Sequence, residues 1–330
     1  MNFHLYPKVE LHLHLDCSLS YEVARKIDPS VTEEAYRRDF IAPAKCTNLA
    51  DFLTRAPYAI ALMQTEEHLY LVVTDVFAQL RRDNLLYAEI RFAPYLHTEQ
   101  GLSPEQVVEA VEVATSQASA STGIEARLIL CTLRHFTAEQ SLHTARLVER
   151  FRGTHVAALD LAGDEAGFPL EAHIPAYRYV EERNLPRTAH AGEASGPESV
   201  WETLRSLHPL RIGHGVRSSE DPTLVEHLRK ERIHLEVCPT SNLQTNIYDT
   251  YADHPINSLY EADLSLSVNT DTRTITDITL TQEYEKLHRF FGWEKLHFLH
   301  CNLEAIRASF LPESRKQELA AQLQEAYEKL

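Results

Sequence analysis

Basic charge is scarce in this chain: 32 lysines and arginines face 48 aspartates and glutamates, a formal net charge of −16 over 330 residues. A surface of that sign repels phosphate backbones, so nucleic acid is not an expected partner, while a small neutral ligand remains open. Cysteine is sparse too. The five, at positions 17, 46, 131, 238 and 301, form no CxxC pair. An odd, scattered set fits reduced thiols in a cytoplasmic protein rather than a disulfide framework. No run of 18 apolar residues exists, so no membrane-spanning helix is expected. The opening MNFHLYPKVELH has neither the basic n-region nor the apolar h-region of a secretory signal. Repeats, low-complexity tracts and linkers are missing, which makes a single domain over 1–330 the economical reading.

What is present is a strong alternation of element types. With 330 residues, 44% of them hydrophobic, the chain can bury a large core. Eight short apolar segments read as strands: KVELHLH (8–14), LLYAEIRFAP (85–94), ARLILCTLR (126–134), VAALDLA (156–162), RTAHAGE (187–193), RIGHG (211–215), IHLEVCPTS (233–241) and LSLSVNTD (264–271). Between them run helical patterns, such as Leu69, Val72, Val73, Val76, Phe77 and Leu80 within 66–82, and Val107, Val108, Val111 and Ala114 within 105–118. Thr137-Ala-Glu-Gln reads as a capping box, Asp221-Pro222 as an N-cap with proline at the first helical position, and 313–330 as a charged amphipathic helix. Strand and helix alternating in this way predict a parallel α/β fold, the (β/α)8 TIM-type barrel. A doubly wound open sheet is disfavoured because no GxGxxG loop follows the first strand. Residues 20–65, mixed and helical in pattern, read as a lid-like insertion over the barrel mouth.

The chemistry concentrates at strand ends. In PKVELHLHLDCS (7–18), His12 and His14 stand two apart on a strand, so both imidazoles face one side and can converge on one ion. With 18 histidines in the chain an HxH triplet is expected by chance alone, so the pair by itself is weak. Position strengthens it, because barrel functional groups come from the C-terminal ends of several strands. The fifth strand ends in His190 and reaches Glu193, the sixth ends in His214, and the eighth ends in Asp271. His12, His14, His190 and Asp271 make a complete zinc-type ligand set, leaving Glu193 and His214 for proton transfer.

HLHLD, LAGDE, HAGE, GHG, CPTSN and NTD, in this order and spacing, resemble the adenosine deaminase family of metal-dependent hydrolases. The resemblance runs from the first strand to NLEAIRASFLP (302–312) and covers essentially the whole chain. It implies hydrolytic deamination of adenosine, and of deoxyadenosine, to the 6-oxo nucleoside and ammonia. One Zn²⁺ per chain would be held by His12, His14, His190 and Asp271. Glu193 would give a proton to purine N1 and His214 would orient the attacking water. Asp16 would reach the ribose 5′-hydroxyl, Gly163 would line the purine edge, and Ser241 would support the site from behind. His14, beside the ion, would also border the substrate. The chain lacks the PCxxC of another deaminase group that attacks adenine C6.

Two positions depart from the family pattern. Cys17 stands where glycine is usual, and Thr272 where a second aspartate hydrogen-bonds purine N7. The alternative expectation is therefore another 6-aminopurine nucleoside such as aminodeoxyfutalosine, with Arg273 meeting an acidic substituent. A catalytically silent nucleoside-binding barrel would show a lost ligand or acid, and none is lost. A two-metal amidase or phosphoesterase would need a lysine at a mid-barrel strand end, and LDLAGD offers none. His297 and His300, and the thiols Cys131 and Cys238, read as packing residues, and Asp160 and Glu165 as residues near the site with structural roles.

Overall fold

The computed structural model describes residues 2–330. Among the described residues eight strands form: β1 (Lys8–His14), β2 (Leu85–Phe92), β3 (Glu125–Leu133), β4 (Val156–Ala162), β5 (Thr188–Ala191), β6 (Arg211–His214), β7 (His234–Val237) and β8 (Leu266–Val268). They pair in chain order, all parallel, as β1-β2-β3-β4 and β5-β6-β7-β8. Single parallel bridges, Leu159 with Arg187 and Leu13 with Asp271, bring β4 beside β5 and β8 beside β1. Two half-sheets adjoined at both edges, with helices between successive strands, are the arrangement of a (β/α)8 barrel.

Period-two alternation explains the layers. In β1, Val9, Leu11 and Leu13 join the apolar core, whereas Glu10, His12 and His14 face the other way. The same alternation places Glu89 and Arg91 of β2, Asp160 of β4, Arg211 of β6 and Glu236 of β7 in one buried polar interior. Arg91 bridges Asp160 and Glu236, while Arg211 bridges Glu236 and Glu89. Buried charge is expensive unless paired, and here every charge has its counter-charge.

The helices begin where their caps dictate. Thr137 completes a capping box ahead of Ala138–Arg150, and Asp221 caps Pro222–Glu231 by accepting from the Thr223 N–H. Several strands are shorter than their apolar runs. The seventh stops at Val237 because Pro239 opens the short helix Pro239–Gln244, so CPTS is not strand. The fifth stops before Gly192, whose φ of +66° turns the chain. Within 20–65 lie the helices Tyr21–Ile27, Glu33–Asp39, Leu49–Leu53 and Ala56–Ile60. Among the described residues, no helix is long and apolar enough to cross a membrane.

Candidate active site

Four strand ends deliver the site. His14 is the last residue of β1, His190 lies on β5, His214 ends β6, and Asp271 follows β8 at its bridge to β1. His214 and Asp271 take φ values of +58° and +65°, a region that side chains other than glycine seldom occupy and that clusters at functional sites. His14 Nε2 lies 3.2 Å from His190 Nε2, and Asp271 Oδ1 lies 3.4 Å from His12 Nε2 and 3.5 Å from His14 Nε2.

A metal fits these residues. The separations match the edges of a tetrahedron whose centre-to-corner distance is about 2.0–2.1 Å, the Zn–N bond length. His12 Nε2 is wholly buried and has no hydrogen-bond partner, which is costly unless a cation takes its lone pair. Candidate ligand atoms of His12, His14 and His190 all fall within 4.8 Å of one another, as do those of Glu193, His214 and Asp271, and those of His12, His214 and Cys238. Burial holds the imidazoles of His14 and His190 below their ordinary range, in the neutral form that ligates. Burial alone would raise Asp271, but the neighbouring imidazoles of His12 and His214 hold its carboxyl well below the usual range.

A second layer orients the first. Glu236 Oε2 is 2.8 Å from His12 Nδ1, and Asp160 Oδ1 is 3.2 Å from His190 Nδ1. Against their burial, His190 and Arg91 keep Asp160 ionised, and Arg91 and Arg211 keep Glu236 ionised. Ser241 Oγ donates to Asp271 Oδ2 at 2.6 Å. Gly213 leaves the room these rings occupy, since a Cβ there would stand 3.0 Å from His12 Cε1 and 3.2 Å from His190 Cγ.

Glu193 sits 3.6 Å from His214 Nε2. Burial, with the negative charges of Asp271 and Glu165, pushes its carboxyl well above the ordinary value. Glu165 shapes the turn that carries it, accepting the backbone N–H groups of Gly192, Glu193, Ala194 and Ser195 at 2.7–3.0 Å. His214 is set by a relay: Ile256 N–H donates to His254 Nδ1, His254 Nε2 lies 3.2 Å from Asn242 Oδ1, and Asn242 Nδ2 donates to His214 Nδ1 at 3.1 Å. An imidazole accepting at Nδ1 carries its proton on Nε2, the nitrogen that faces Glu193.

A cavity of about 360 Å³ opens over this centre. His14, Asp16, Gly163, His190, Glu193, His214, Asp271 and Thr272 line it, so every candidate site residue except the deeper His12 reaches one space. Its outer wall is Leu49, Phe52, Leu53, Ala56, Pro57 and Ile60, from the helical segment after β1. Cys17 also lines it, and the Thr272 hydroxyl is buried without a partner. Arg273 does not meet it. Its guanidinium is buried against Asp83 and Glu10, each at 2.7 Å, and these carboxylates hold it away from the cavity, which corrects the expectation of an acidic substituent there. His297 caps its own helix, accepting from the Glu294 N–H.

Sequence reasoning passed over Arg91, Glu236, Asn242, His254 and His97. Arg91 and Glu236 carried a signal, being charged residues inside apolar strand runs, and Asn242 closes the CPTSN motif; His254 and His97 carried none.

The adenosine deaminase family model matches residues 7–326. An adenosine deaminase of Lacticaseibacillus paracasei is 36% identical over 330 residues, covering 98% of this chain and 97% of the relative. The structure resembles an adenine deaminase from Arthrobacter aurescens with a TM-score of 0.90 at 27% identity, covering 97% of this chain and 98% of that one. It also resembles Arabidopsis ADAL complexed with IMP, with a TM-score of 0.88 at 25% identity, covering 100% and 99%. Alignment from the first strand to the last helix, with residues of five of the six motifs lining one cavity, places this chain in the adenosine deaminase family.

Proposed function

We propose that the chain is a zinc-dependent hydrolase that deaminates adenosine and deoxyadenosine, releasing ammonia and the 6-oxo nucleoside. The observation that carries this reading is the convergence of His12, His14, His190 and Asp271 directly beneath a cavity walled by Glu193. When bound there, a Zn²⁺ ion would supply the Lewis acid that makes water nucleophilic at neutral pH. Attack at C6 breaks the ring's aromaticity and loads negative charge on N1. Glu193, whose carboxyl burial pushes well above the ordinary value, gives N1 its proton. His214 presents Nε2–H to hold the incoming oxygen in line. Asp16 accepts from the ribose 5′-hydroxyl, Gly163 lies along the purine edge, and the unpartnered Thr272 hydroxyl serves N7.

The lining also favours a neutral nucleoside. Asp16, Asp164, Glu193 and Asp271 face the cavity, and no lysine or arginine does. A 5′-phosphate or other acidic substituent would meet carboxylates with no cation to pair. That weighs against nucleotides and against aminodeoxyfutalosine, whose expected partner Arg273 points elsewhere.

Purified protein screened by ultraviolet absorbance should act on adenosine and deoxyadenosine well above adenine, AMP and aminodeoxyfutalosine. Glu193→Gln should abolish ammonia release with bound metal unchanged. Full activity in that variant would defeat the assigned role, and preference for adenine would defeat the role of Asp16.

A further inference from the structure

His97 is wholly buried, belongs to no apolar cluster, and is absent from the cavity lining. It lies at the end of the turn Pro94–His97 that follows β2. Its Nε2 is 2.6 Å from Asp16 Oδ1 and its Nδ1 is 2.9 Å from the Met63 carbonyl. The other carboxylate oxygen, Asp16 Oδ2, accepts the N–H of Ala93, so both oxygens are fixed by the chain leaving β2. Met63 closes the helical segment that walls the cavity, just beyond Ala56–Ile60. The next residue repeats the connection: Gln64 Nε2 donates to the carbonyls of Ile60 and Leu96, and its Oε1 accepts from the Glu99 N–H.

We propose that His97 is a positioning residue for sugar recognition: from outside the cavity it holds Asp16, aiming the carboxylate at the nucleoside 5′-hydroxyl. This rests on the assignment of Asp16 to that hydroxyl. A carboxylate oxygen holding one protein donor keeps a lone pair free for a second, and a fixed rotamer spares the cost of orienting it on binding. Neither partner is among His12, His14, His190, Asp271, Glu193 and His214. His97 therefore governs sugar binding and leaves the chemical step alone.

The test compares adenosine with 5′-deoxyadenosine, which lacks the hydroxyl, in the metal-loaded wild type and in His97→Phe and His97→Gln. The wild type should prefer adenosine. In His97→Phe, kcat/KM for adenosine should fall about tenfold to a hundredfold, the scale of a hydrogen bond to a charged group, carried by KM with kcat nearly unchanged. Activity on 5′-deoxyadenosine should hold, and His97→Gln, which keeps an N–H donor, should recover part of the preference. Equal loss on both substrates, whether through chemistry or through misfolding, would assign His97 to the scaffold and overturn the proposal. Discrimination surviving intact in both variants would overturn it while leaving Asp16 in place. A wild type indifferent to the 5′-hydroxyl would remove the Asp16 assignment and the proposal with it.

Discussion

Gly213→Ala adds one methyl group to the floor of the candidate metal centre. The backbone there is a regular β6 position paired with His190, so alanine meets no conformational obstacle. The obstacle is steric. The new Cβ would stand 3.0 Å from His12 Cε1 and 3.2 Å from both Cγ and Nδ1 of His190. Comfortable carbon–carbon contact begins at about 3.5 Å, so each ring must retreat by a few tenths of an ångström. Neither can do so freely, because His12 Nδ1 is held by Glu236 at 2.8 Å and His190 Nδ1 by Asp160 at 3.2 Å. A metal site tolerates only about 0.2 Å of displacement in its ligands. Zinc affinity should therefore fall by about 10–100-fold, the range seen when ligand-orienting contacts are lost. The fold itself should lose about 1–3 kcal/mol, as for other overpacked cores. Competition titration with a chromophoric chelator reads the first quantity, and urea unfolding of the metal-free protein reads the second. Wild-type zinc affinity in a folded Gly213→Ala protein would refute the reasoning, since it would mean that His12 and His190 have slack or do not bind the ion.

Thr272→Val should lower kcat/KM for adenosine by about two- to tenfold, the value of one neutral hydrogen bond, and leave 7-deazaadenosine unaffected; equal losses on the two would remove Thr272 from N7. Arg91→Met leaves Asp160 and Glu236 buried without their shared cation, and urea unfolding should show a loss of about 3–5 kcal/mol. An unchanged midpoint would show that the interior charges are compensated elsewhere. His254 is buried and burial lowers its pKa to about 3, so between about pH 6.5 and pH 3 the unfolded chain binds a proton that the folded chain refuses. Its contribution is intact above pH 6.5 and is lost as pH falls, at up to about 1.4 kcal/mol per pH unit. His254→Gln should flatten the stability–pH slope in that window by up to one proton, and an unaltered slope would count against a neutral buried His254.

The eight strands were legible because each is an apolar run that stops at a turn residue, and residues at the ends of β1, β5, β6 and β8 line one cavity. What the sequence hid were pairings between residues far apart along the chain. Arg273 stands next to Thr272, and adjacency made it look like a substrate ligand. Its true partners, Glu10 and Asp83, lie 263 and 190 residues away, and no local pattern announces them. His97 shows the same blindness, being 81 residues from Asp16. The overlong seventh strand is a different case. CPTS looks extended by composition, but the proline that follows Cys238 begins a helix, a signal present in the sequence and outweighed by the apolar run before it.

The interior of the barrel explains why charged residues occupy strands that could have been apolar. Well-packed hydrophobic side chains in place of Arg91, Asp160, Arg211, Glu236 and Glu89 would give an equally stable or more stable core. The carboxylates do something apolar groups cannot. Glu236 and Asp160 stay ionised beside Arg91, so each can only accept, and the imidazole nitrogen facing it must carry the proton. In their neutral form His12 and His190 then carry N–H at Nδ1 and a lone pair at Nε2, the Nε2 of His12 lying beside Asp271 and that of His190 beside His14. Arg91 makes the two carboxylates tolerable so close together, and Arg211 shares the charge of Glu236 with the far strand. On this view the polar interior is the lower half of the active site. Under the proposed zinc reading, its stability cost would be traded for two histidines that meet the ion in one tautomer and one orientation.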